Sequence, residues 1–434
     1  MTRGLSSANN FILGAGATGL GAAIESGWQL LEAAPYPGGI CSSYYLDRKD
    51  SSYSAVENQD TFRFEIGGGH WLFGGNHETI SFFSRFALLN SYLRRSSVYL
   101  KDLNLVVPYP LQNNLQYLPR LLREQILNEL RQPRQRDSVT LRDWLLQSFG
   151  PSLCDLFFIP FHNLYTAGLL DTIEPQDSYK SPIDVRLIVE GSKEKTAHVG
   201  YNAEFRYPNI GLGLLFSKIA EQLSVQYQKR IIGIDPHLKI LTFEDGGSTR
   251  FDKVISTLPL NRVCELTHLD SEPSDPFTSV LVLNLGASRG EMQFNDHWMY
   301  FSSTKSGFHR VGSYSNVDNR FLPSSMRDDD NVISLYVEKA FLGGTSLSAD
   351  EMALESRLMI EELTELGLIR DVFVQHPTWI DVAYTWKRVG STWKERMIQQ
   401  LRERDIIQCG RYGGWKFQGI ADSFLEGRSV GNGW

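Results

Sequence analysis

The stretch NFILGAGATGLGAAIESGWQLLEAAPYPGG, residues 10–39, decides the fold of this chain. A short apolar run leads directly into three spaced glycines and a run of small residues, and a second apolar run ends at Glu32. This order of strand, turn, helix, strand and acid is the context in which a G-x-G-x-x-G pattern binds a dinucleotide. Gly14 permits the tight turn, Gly16 lets backbone N–H groups approach a pyrophosphate, and Gly19 lets the helix pack against the strand. The stretch therefore predicts a dinucleotide site in which Glu32 accepts hydrogen bonds from a ribose.

The whole chain has the composition of a globular protein with two or three domains. Of its 434 residues 42% are hydrophobic and 21% are charged, and the net charge is -7. This charge argues against nucleic acid as the main partner but leaves room for a local basic pocket. The four cysteines have no metal-ligand spacing, so we expect reduced thiols and no metal site. No apolar run reaches the roughly 18 residues of a membrane span, so we expect a cytoplasmic protein.

Two further segments identify the type of dinucleotide through a family resemblance. APYPGGICSSYY follows the acid, and FRFEIGGGHWLFGG covers Phe62–Gly75. Here the chain resembles the flavoprotein family that includes amine oxidases, protoporphyrinogen oxidase and UDP-galactopyranose mutase. Its members carry a Gly-Gly pair, as at Gly39, and a segment like F-D-x-G-G-H against the flavin ring, as at Gly69 and His70. The resemblance implies FAD as the cofactor.

The resemblance and the apolar periodicity together predict an α/β fold. We expect a Rossmann-like FAD-binding domain assembled from discontinuous segments, residues 1–75, 200–262 and 400–434. Residues 76–199 are predicted to form a mostly helical domain, because apolar residues recur every three or four positions. Residues 263–399 mix strand and helix patterns and are predicted to form a substrate domain with a mixed sheet.

Three segments resemble UDP-galactopyranose mutase more than they resemble the amine oxidases. The first, VPYPLQNNLQYLP (Val107–Pro119), is read either as a rigid loop entering a helix or as a direct ligand contact. The second, Asp296–Asn316, predicts a β-hairpin whose Arg310 sits among aromatic residues. A guanidinium fork pairs with phosphate oxygens, and in the mutases the corresponding arginine holds the diphosphate; the alternative is a solvent-exposed strand arginine. Period-two counting places aromatic residues beside this arginine and on one face of the partner strand: Phe308, Tyr314, Trp298 and Tyr300.

The third segment, CGRYGGWKF, matches a stretch in which an arginine contacts the FAD pyrophosphate, a role that the resemblance gives to Arg411. The following IADSFLEG predicts a helix capped by Asp422 whose N-terminus faces the flavin. An ordinary strand-to-helix turn is the alternative. The predicted cofactor-binding residues are Gly14, Gly16, Thr18, Gly19, Glu32, Gly39, Gly69, His70, Arg411, Asp422 and Ser423.

The chain also departs from the mutase pattern. Phe417 and Val317 stand where the mutases have tyrosines, and Lys180 stands where they have a second arginine. Tyr384 sits where a phosphate-contacting tyrosine is expected. Each lost hydroxyl donor lowers substrate affinity by about 0.5–1.5 kcal/mol, so the substrate or its pose differs from that of UDP-galactose in the mutases.

The resemblance implies a mutase that interconverts pyranose and furanose forms of a nucleotide-linked hexose, as in polysaccharide biosynthesis. Reduced flavin acts as the nucleophile and there is no net redox change. The predicted catalytic residues are His70, Arg310, Tyr384 and Lys180, with His70 read either as a flavin neighbour or as a structural histidine. Two alternatives remain open: an FAD-dependent oxidoreductase resembling amine oxidase or protoporphyrinogen oxidase, and a non-catalytic protein that binds flavin or nucleotide sugar.

Overall fold

The computed structural model of the chain describes residues 9–54, 56–132, 138–175, 184–194, 203–269 and 272–433. Its strands, in chain order, are β1 (Asn10–Leu13), β2 (Gln29–Leu31), β3 (Ser43–Asp47), β4 (Tyr53–Ser54), β5 (Thr61–Glu65), β6 (Leu72–Phe73), β7 (Leu89–Leu93), β8 (Ser96–Leu100), β9 (Leu105–Pro108), β10 (Glu204–Pro208), β11 (Val225–Gln226), β12 (Ile231–Asp235), β13 (Ile240–Phe243), β14 (Ser248–Arg250), β15 (Lys253–Ser256), β16 (Phe277–Arg289), β17 (Trp298–Phe301), β18 (Arg310–Ser313), β19 (Val332–Leu342), β20 (Ile369–Thr385) and β21 (Ile406–Gln408). Its helices are α1 (Ala17–Ser26), α2 (His77–Ser84), α3 (Arg120–Leu130), α4 (Leu141–Phe149), α5 (Pro151–Leu153), α6 (Ile159–Tyr165), α7 (Val185–Gly191), α8 (Leu212–Ala220), α9 (Leu260–Thr267), α10 (Ala349–Glu365), α11 (Trp393–Arg402), α12 (Gly410–Gly413) and α13 (Ile420–Asn432). Within these described ranges, no helix combines the length and apolarity needed to cross a lipid bilayer.

A five-stranded parallel sheet forms the first layer of the fold. Its strand order is β11-β2-β1-β15-β21, and every neighbouring pair runs parallel. Residues 11–13 of β1 and 254–256 of β15 are buried, as in short apolar strands covered on both faces. The strands come from parts of the chain that lie far apart, which confirms the predicted assembly of this layer from discontinuous segments.

Helix α1 lies on this sheet, and the glycine-rich helices α1 and α13 touch each other through their backbones. A Cβ atom on Gly21 of α1 would overlap the carbonyl oxygen of Phe424, and one on Gly427 of α13 would overlap that of Thr18. The run of small residues in TGLGAAIES therefore serves a helix–helix contact as well as the helix–sheet contact that the sequence predicts. The contact brings the C-terminal helix beside the first glycine-rich turn.

A seven-stranded sheet forms the second large layer, in the order β20-β16-β19-β18-β17-β8-β9. Its neighbours are antiparallel except for β17 and β8, so it is the mixed sheet that the fold class predicts. One face packs against α10 through a core that includes Val311, Met359 and Leu363. The opposite face turns toward the parallel sheet, and the candidate site lies between the two layers.

Three strands occur in residues 76–199 that the sequence pattern does not predict. β8 pairs with β9 and, in parallel, with β17, where Trp298 lies opposite Ser96. The runs SSVYL and LVVP are rich in β-branched and apolar residues, and the unpaired edge of β17 gives them a partner. Tertiary pairing therefore overrides the helical periodicity of the flanking segments.

Candidate functional site

A cavity of about 390 Å³ opens at the carboxyl ends of the parallel strands. Gly14 follows β1, Glu32 follows β2, and Thr257 follows β15, and all three line it. Ligands in open α/β sheets bind outside the carboxyl ends of the strands. The cavity extends from these turns to Gly69 and His70 beside the seven-stranded sheet.

The three motif glycines have different surroundings. Gly14 has a φ of +93°, and a Cβ there would lie 2.6 Å from Oγ1 of Thr257. A Cβ on Gly19 would overlap the carbonyl oxygen of Gly14, so helix and turn meet at backbone distance, and this residue does not line the cavity. A Cβ on Gly16 would meet nothing within 4 Å because this position faces the cavity. Only Gly16 thus leaves its space to a ligand.

Two helix N-termini point into the cavity. Gly16 is the N-cap of α1 and Gly419 is the N-cap of α13, and neither helix start has a side-chain capping hydrogen bond. Backbone N–H groups at a helix start bind phosphate oxygens, and the helix dipole adds to their attraction. Asp422 was predicted as the cap of α13, but it lies in the first turn, and the predicted Ser423 lines the cavity there instead. The correction follows from Gly419, whose extended backbone begins the helix without a side chain.

Glu32 is held rigidly at the far end of the cavity. One carboxylate oxygen accepts a hydrogen bond from the N–H of Ala15 at 2.7 Å, and the other accepts one from Ala34 at 2.8 Å. Carboxylate oxygens accept more than one hydrogen bond, so this fixed orientation leaves capacity for a ribose hydroxyl. The predicted Thr18 and Gly39 also line the cavity.

Arg411 lies on the cavity wall between aromatic rings. Its Nη1 and Nη2 donate to the carbonyl oxygens of Gln418 at 3.0 Å and Ala383 at 3.1 Å. The guanidinium carbon lies 4.8 Å from the ring centre of Phe417 and 5.2 Å from that of Tyr384. The planar cation is thus fixed in the cavity, where a pyrophosphate contact remains its predicted role.

The turn at Gly69 and His70 borders the cavity on the side of the seven-stranded sheet. A Cβ on Gly69 would overlap the hydroxyl of Tyr336, so the turn fits against β19 only with glycine there. Burial, with the nearby charges of Arg411 and Arg310, lowers the pKa of His70 to about 4. His70 is therefore neutral at pH 7.

A buried hydrogen-bond network anchors the strand that leads into this turn. Ser43 donates to the carboxyl group of Glu65 at 2.8 Å, and Tyr207 donates to its other oxygen. The backbone carbonyl of Glu65 accepts from Asn284 at 3.1 Å and from Tyr314 at 3.3 Å. Complete burial raises the pKa of Glu65 to about 7. The network connects the turn at Gly69 and His70 to the seven-stranded sheet.

Arg310 lines the same cavity, but it already has a partner. Its Nη2 forms an ion pair with Glu338, which lies directly opposite on β19. The side chains are 17% and 2% exposed. Nε of Arg310 is buried and has no hydrogen-bond partner among the described residues. The sequence does not indicate this carboxylate, since Glu338 lies 28 residues away and only the register of the sheet places it opposite Arg310.

The hairpin prediction is correct for the pairing and wrong for one residue. β17 and β18 pair, and Tyr314 packs in the core on the side of the candidate site, with Trp298 and Tyr300. Phe308 packs instead on Phe301, with ring centres 5.0 Å apart, in the core that faces α10. Because β18 begins only at position 310, period-two counting does not extend back to Phe308.

Two aromatic residues that the sequence analysis does not name, Phe161 and Tyr165, lie beside the predicted Tyr300 and Tyr384. The ring of Tyr300 is 5.0 Å from Tyr109 and 5.3 Å from Phe161, and Tyr165 lies 4.7 Å from Tyr384. Tyr384 lines the cavity as predicted. Phe161 and Tyr165 are four positions apart, so the sequence could have indicated that both rings lie on one face of a helix. Lys180, the remaining predicted catalytic residue, lies outside the described residues.

The fold and the cavity define a protein of the glycine-rich, dinucleotide-binding class. Residues 28–286 match the family described as flavin containing amine oxidoreductase. This match spans more than half of the chain, which therefore belongs to that family. The open position at Gly16 and the two uncapped helix starts fit an FAD pyrophosphate, and FAD is the cofactor.

Solved structures with different activities share this fold. A crystal structure of reduced UDP-galactopyranose mutase matches with a TM-score of 0.82 at 22% identity, covering 98% of this chain and 95% of that one. A putative protoporphyrinogen oxidase from Exiguobacterium sp. 255-15 matches with 0.69 at 15% identity, covering 99% of both chains. A CLA-producing fatty acid isomerase from P. acnes matches with 0.59 at 13% identity, covering 98% of both. At such identities the likeness establishes the fold, and the activity has to be argued from the site.

Proposed function

We propose that this chain is an FAD-dependent mutase that interconverts the pyranose and furanose forms of a nucleotide-linked hexose. One observation carries the proposal: Arg310 lines the same cavity as the turn at Gly69 and His70 and as Arg411. A guanidinium stays charged at every relevant pH and pairs with phosphate oxygens through a planar fork. An amine or an apolar polyene gains nothing from such a group, whereas a nucleoside diphosphate does.

Arg310 retains donors for this task. A guanidinium has five N–H donors, and the contact with Glu338 uses one of its nitrogens. Arg310 lines the cavity, so nitrogens that Glu338 does not engage remain available to a phosphate group there. Binding of the leaving group by Arg310 would stabilise the charge that develops on the diphosphate as it separates from the sugar.

Tyr384 supplies a second donor to the same group in this proposal. Burial raises the pKa of its hydroxyl to about 12, so it stays protonated at neutral pH and can donate a hydrogen bond to phosphate. Tyr384 and Arg310 both line the cavity and approach it from different strands of the seven-stranded sheet. Lys180 remains a predicted third contact.

Reduced FAD, when bound, supplies the nucleophile for the anomeric carbon of the sugar, and the reaction has no net redox change. The imidazole of His70 is neutral at pH 7 and adds no charge to those of Arg310 and Arg411, so in this proposal Arg310 binds the diphosphate. Trp71, Phe73 and Phe417 line the cavity with apolar surface, which excludes water from the reacting sugar.

The substrate of the proposed mutase is a nucleotide-diphospho-sugar. Phe417 lies over Arg411 and has no hydroxyl. Val317 does not line the cavity between Gly16 and His70, in which we place FAD and which we call the FAD cavity. It lines a second cavity beside Arg95. These positions give no phosphate donors, so the contacts differ from those that the resemblance implies. We place such a mutase in the cytoplasm and in polysaccharide biosynthesis, with no nucleic acid partner.

An FAD-dependent oxidoreductase is the second candidate, and Glu338 is the observation that favours it. Its buried carboxylate balances the charge of Arg310, so the net attraction of the pair for an anion is weaker than that of a lone guanidinium. The two functions differ in oxygen consumption and in net substrate oxidation.

A turnover assay tests the proposal. The purified protein is checked for FAD by its spectrum, reduced with dithionite without oxygen, and incubated with UDP-, GDP- and CDP-hexoses. Furanose products that accumulate over many turnovers, with flavin still reduced, support the mutase. Oxygen consumption with an amine or a porphyrinogen and no furanose supports the oxidoreductase, and bound flavin with neither activity supports a binding protein.

A further inference from the structure

Glu338 is a buried charge that touches two basic residues. Its side chain is 2% exposed, one carboxylate oxygen contacts Nη2 of Arg310, and the other lies 3.6 Å from Nε2 of His309. Arg310 and Glu338 are directly opposite each other on neighbouring antiparallel strands, so the contact is built into the register of the sheet. An isolated carboxylate in such a place would carry a large desolvation cost, which these partners offset.

The carboxylate also lies under the turn that borders the FAD cavity. A Cβ on Gly68 would be 3.1 Å from Oε1 of Glu338, the same oxygen that contacts Arg310. Burial alone would raise the pKa of Glu338, but the charge of Arg310 and the contact with His309 outweigh it and lower the pKa. Glu338 is thus ionised at neutral pH and lies between the turn and the guanidinium.

This contact fixes the guanidinium at one edge. Glu338 engages Nη2, while Nε is buried and has no partner among the described residues. The ring of Tyr336 lies 5.6 Å from the guanidinium carbon and limits its movement further. A cation held in this way has a fixed orientation, which is what recognition of a phosphate group needs.

We propose that Glu338 is a positioning residue of the anion site, the place in the cavity where Arg310 binds the diphosphate. Its carboxylate fixes the orientation of Arg310 and partly neutralises its charge, so that a nucleoside diphosphate is bound in one orientation and released after turnover. The inference rests on the proposed function, because it requires that Arg310 binds the diphosphate. In this proposal the carboxylate of Glu338 has two separate effects. The negative charge weakens binding of the anion, and the contact with Nη2 aligns the guanidinium.

Two substitutions separate these effects. Glu338→Gln removes the charge and keeps an oxygen that can accept from Nη2, so we expect the diphosphate to bind roughly tenfold more tightly. Turnover in this variant should fall, because product release becomes slower. Glu338→Asp keeps the charge but is one methylene too short to reach Nη2 in the same geometry. We expect it to bind the diphosphate more weakly and to lower kcat, with KM raised.

The experiment titrates the FAD-loaded protein calorimetrically with UDP, GDP and CDP and follows the nucleotide that the wild type binds most tightly. Arg310→Ala and Glu355→Gln are measured beside the two Glu338 variants. Glu355 forms an ion pair with Lys339 at 2.6 Å, so its variant is a matched loss of one paired carboxylate at another position. It should bind the nucleotide as the wild type does.

The outcomes distinguish this inference from the proposed function. If Arg310→Ala binds as well as wild type, or no nucleotide binds to wild type, the anion site itself is wrong. If Arg310→Ala loses binding while Glu338→Gln stays within twofold of wild type, the inference on Glu338 alone is overturned. Should Glu338→Gln fail to retain FAD, the aspartate variant decides, and unchanged nucleotide affinity there contradicts the proposal.

Discussion

The FAD cavity and the Arg310 site are constructed in different ways, although they share a wall. Around Gly16 and Gly419, the cavity is bounded by backbone atoms at two helix starts. Around Arg310 the site is made of side chains from several strands, held together by the ion pair with Glu338. A site built from backbone leaves a local signature in the sequence, whereas a site built from paired side chains depends on strand register. The comparison predicts that substitutions have separable effects in the two regions.

The largest expected effect is loss of the cofactor from the backbone-built region. Because a Cβ on Gly16 meets nothing within 4 Å, Gly16→Val should fold normally and place its side chain where the pyrophosphate binds. We expect flavin content to fall below about a tenth of wild type while circular dichroism stays the same. The ratio of flavin absorbance to protein absorbance measures this. Gly233→Val, in a strand where a Cβ makes only ordinary contacts with Thr242, should keep its flavin; equal flavin content in both variants would contradict the assignment.

A smaller effect is expected on stability, at the buried hydrogen-bond network of Glu65. This network connects the turn at Gly69 and His70 to the seven-stranded sheet. Burial raises the pKa of Glu65 from 4.5 to about 7, so between these values the folded protein retains a proton that the unfolded chain releases. The free energy of unfolding contributed by this group therefore falls as pH rises from 4.5 to 7, by about 3 kcal/mol. Glu65→Gln cannot titrate and should gain stability relative to wild type over this window. Denaturant unfolding at pH 5, 6, 7 and 8 gives the difference.

The surface variant Glu244→Gln serves as the control for Glu65→Gln. Glu244 is 67% exposed and pairs weakly with Arg230 at 3.6 Å, so its substitution should leave the pH profile unchanged. A stability difference between Glu65→Gln and wild type that stays constant from pH 5 to 8 would show that Glu65 titrates normally. The network around it would then be a structural contact without a trapped proton.

The smallest expected effect is loss of one hydroxyl in the side-chain-built region. Tyr384→Phe removes a donor to the proposed phosphate and should weaken substrate binding by about 0.5–1.5 kcal/mol, seen as a several-fold rise in KM. The ring contacts with Tyr165 and Arg411 remain, so flavin content and stability should not change. Tyr117→Phe, at an exposed tyrosine away from the FAD cavity, is the control. An unchanged KM for Tyr384→Phe would remove Tyr384 from the substrate site.

The fold was predictable because its determinants are local. The sequence from Asn10 to Gly39 specifies strand, turn, helix and acid in order, and the parallel sheet and the FAD cavity follow from it. The strands in residues 89–108 were not predictable, because β7 pairs with β10 and β8 pairs with β17, and both partners lie far along the chain. The helix cap was misplaced from Gly419 to Asp422, since a glycine cap has no side-chain signal.

The candidate site was predictable only in part. Arg310, Tyr384 and Arg411 do lie around one cavity, but the roles predicted for them remain to be tested. The partner Glu338 was missed because only the register of the sheet places it opposite Arg310. Phe308 was put on the wrong side because its strand begins two residues later than period-two counting assumes.

The most direct test of the central claim compares two arginines of the seven-stranded sheet. Arg310→Ala and the solvent-exposed Arg370→Ala are loaded with FAD, reduced, and assayed for furanose formation from nucleotide-linked hexoses. We predict that Arg370→Ala turns over like wild type, while Arg310→Ala keeps its flavin and loses at least about 100-fold in kcat/KM. Equal turnover by the two variants would contradict the account, because the diphosphate would then be held elsewhere.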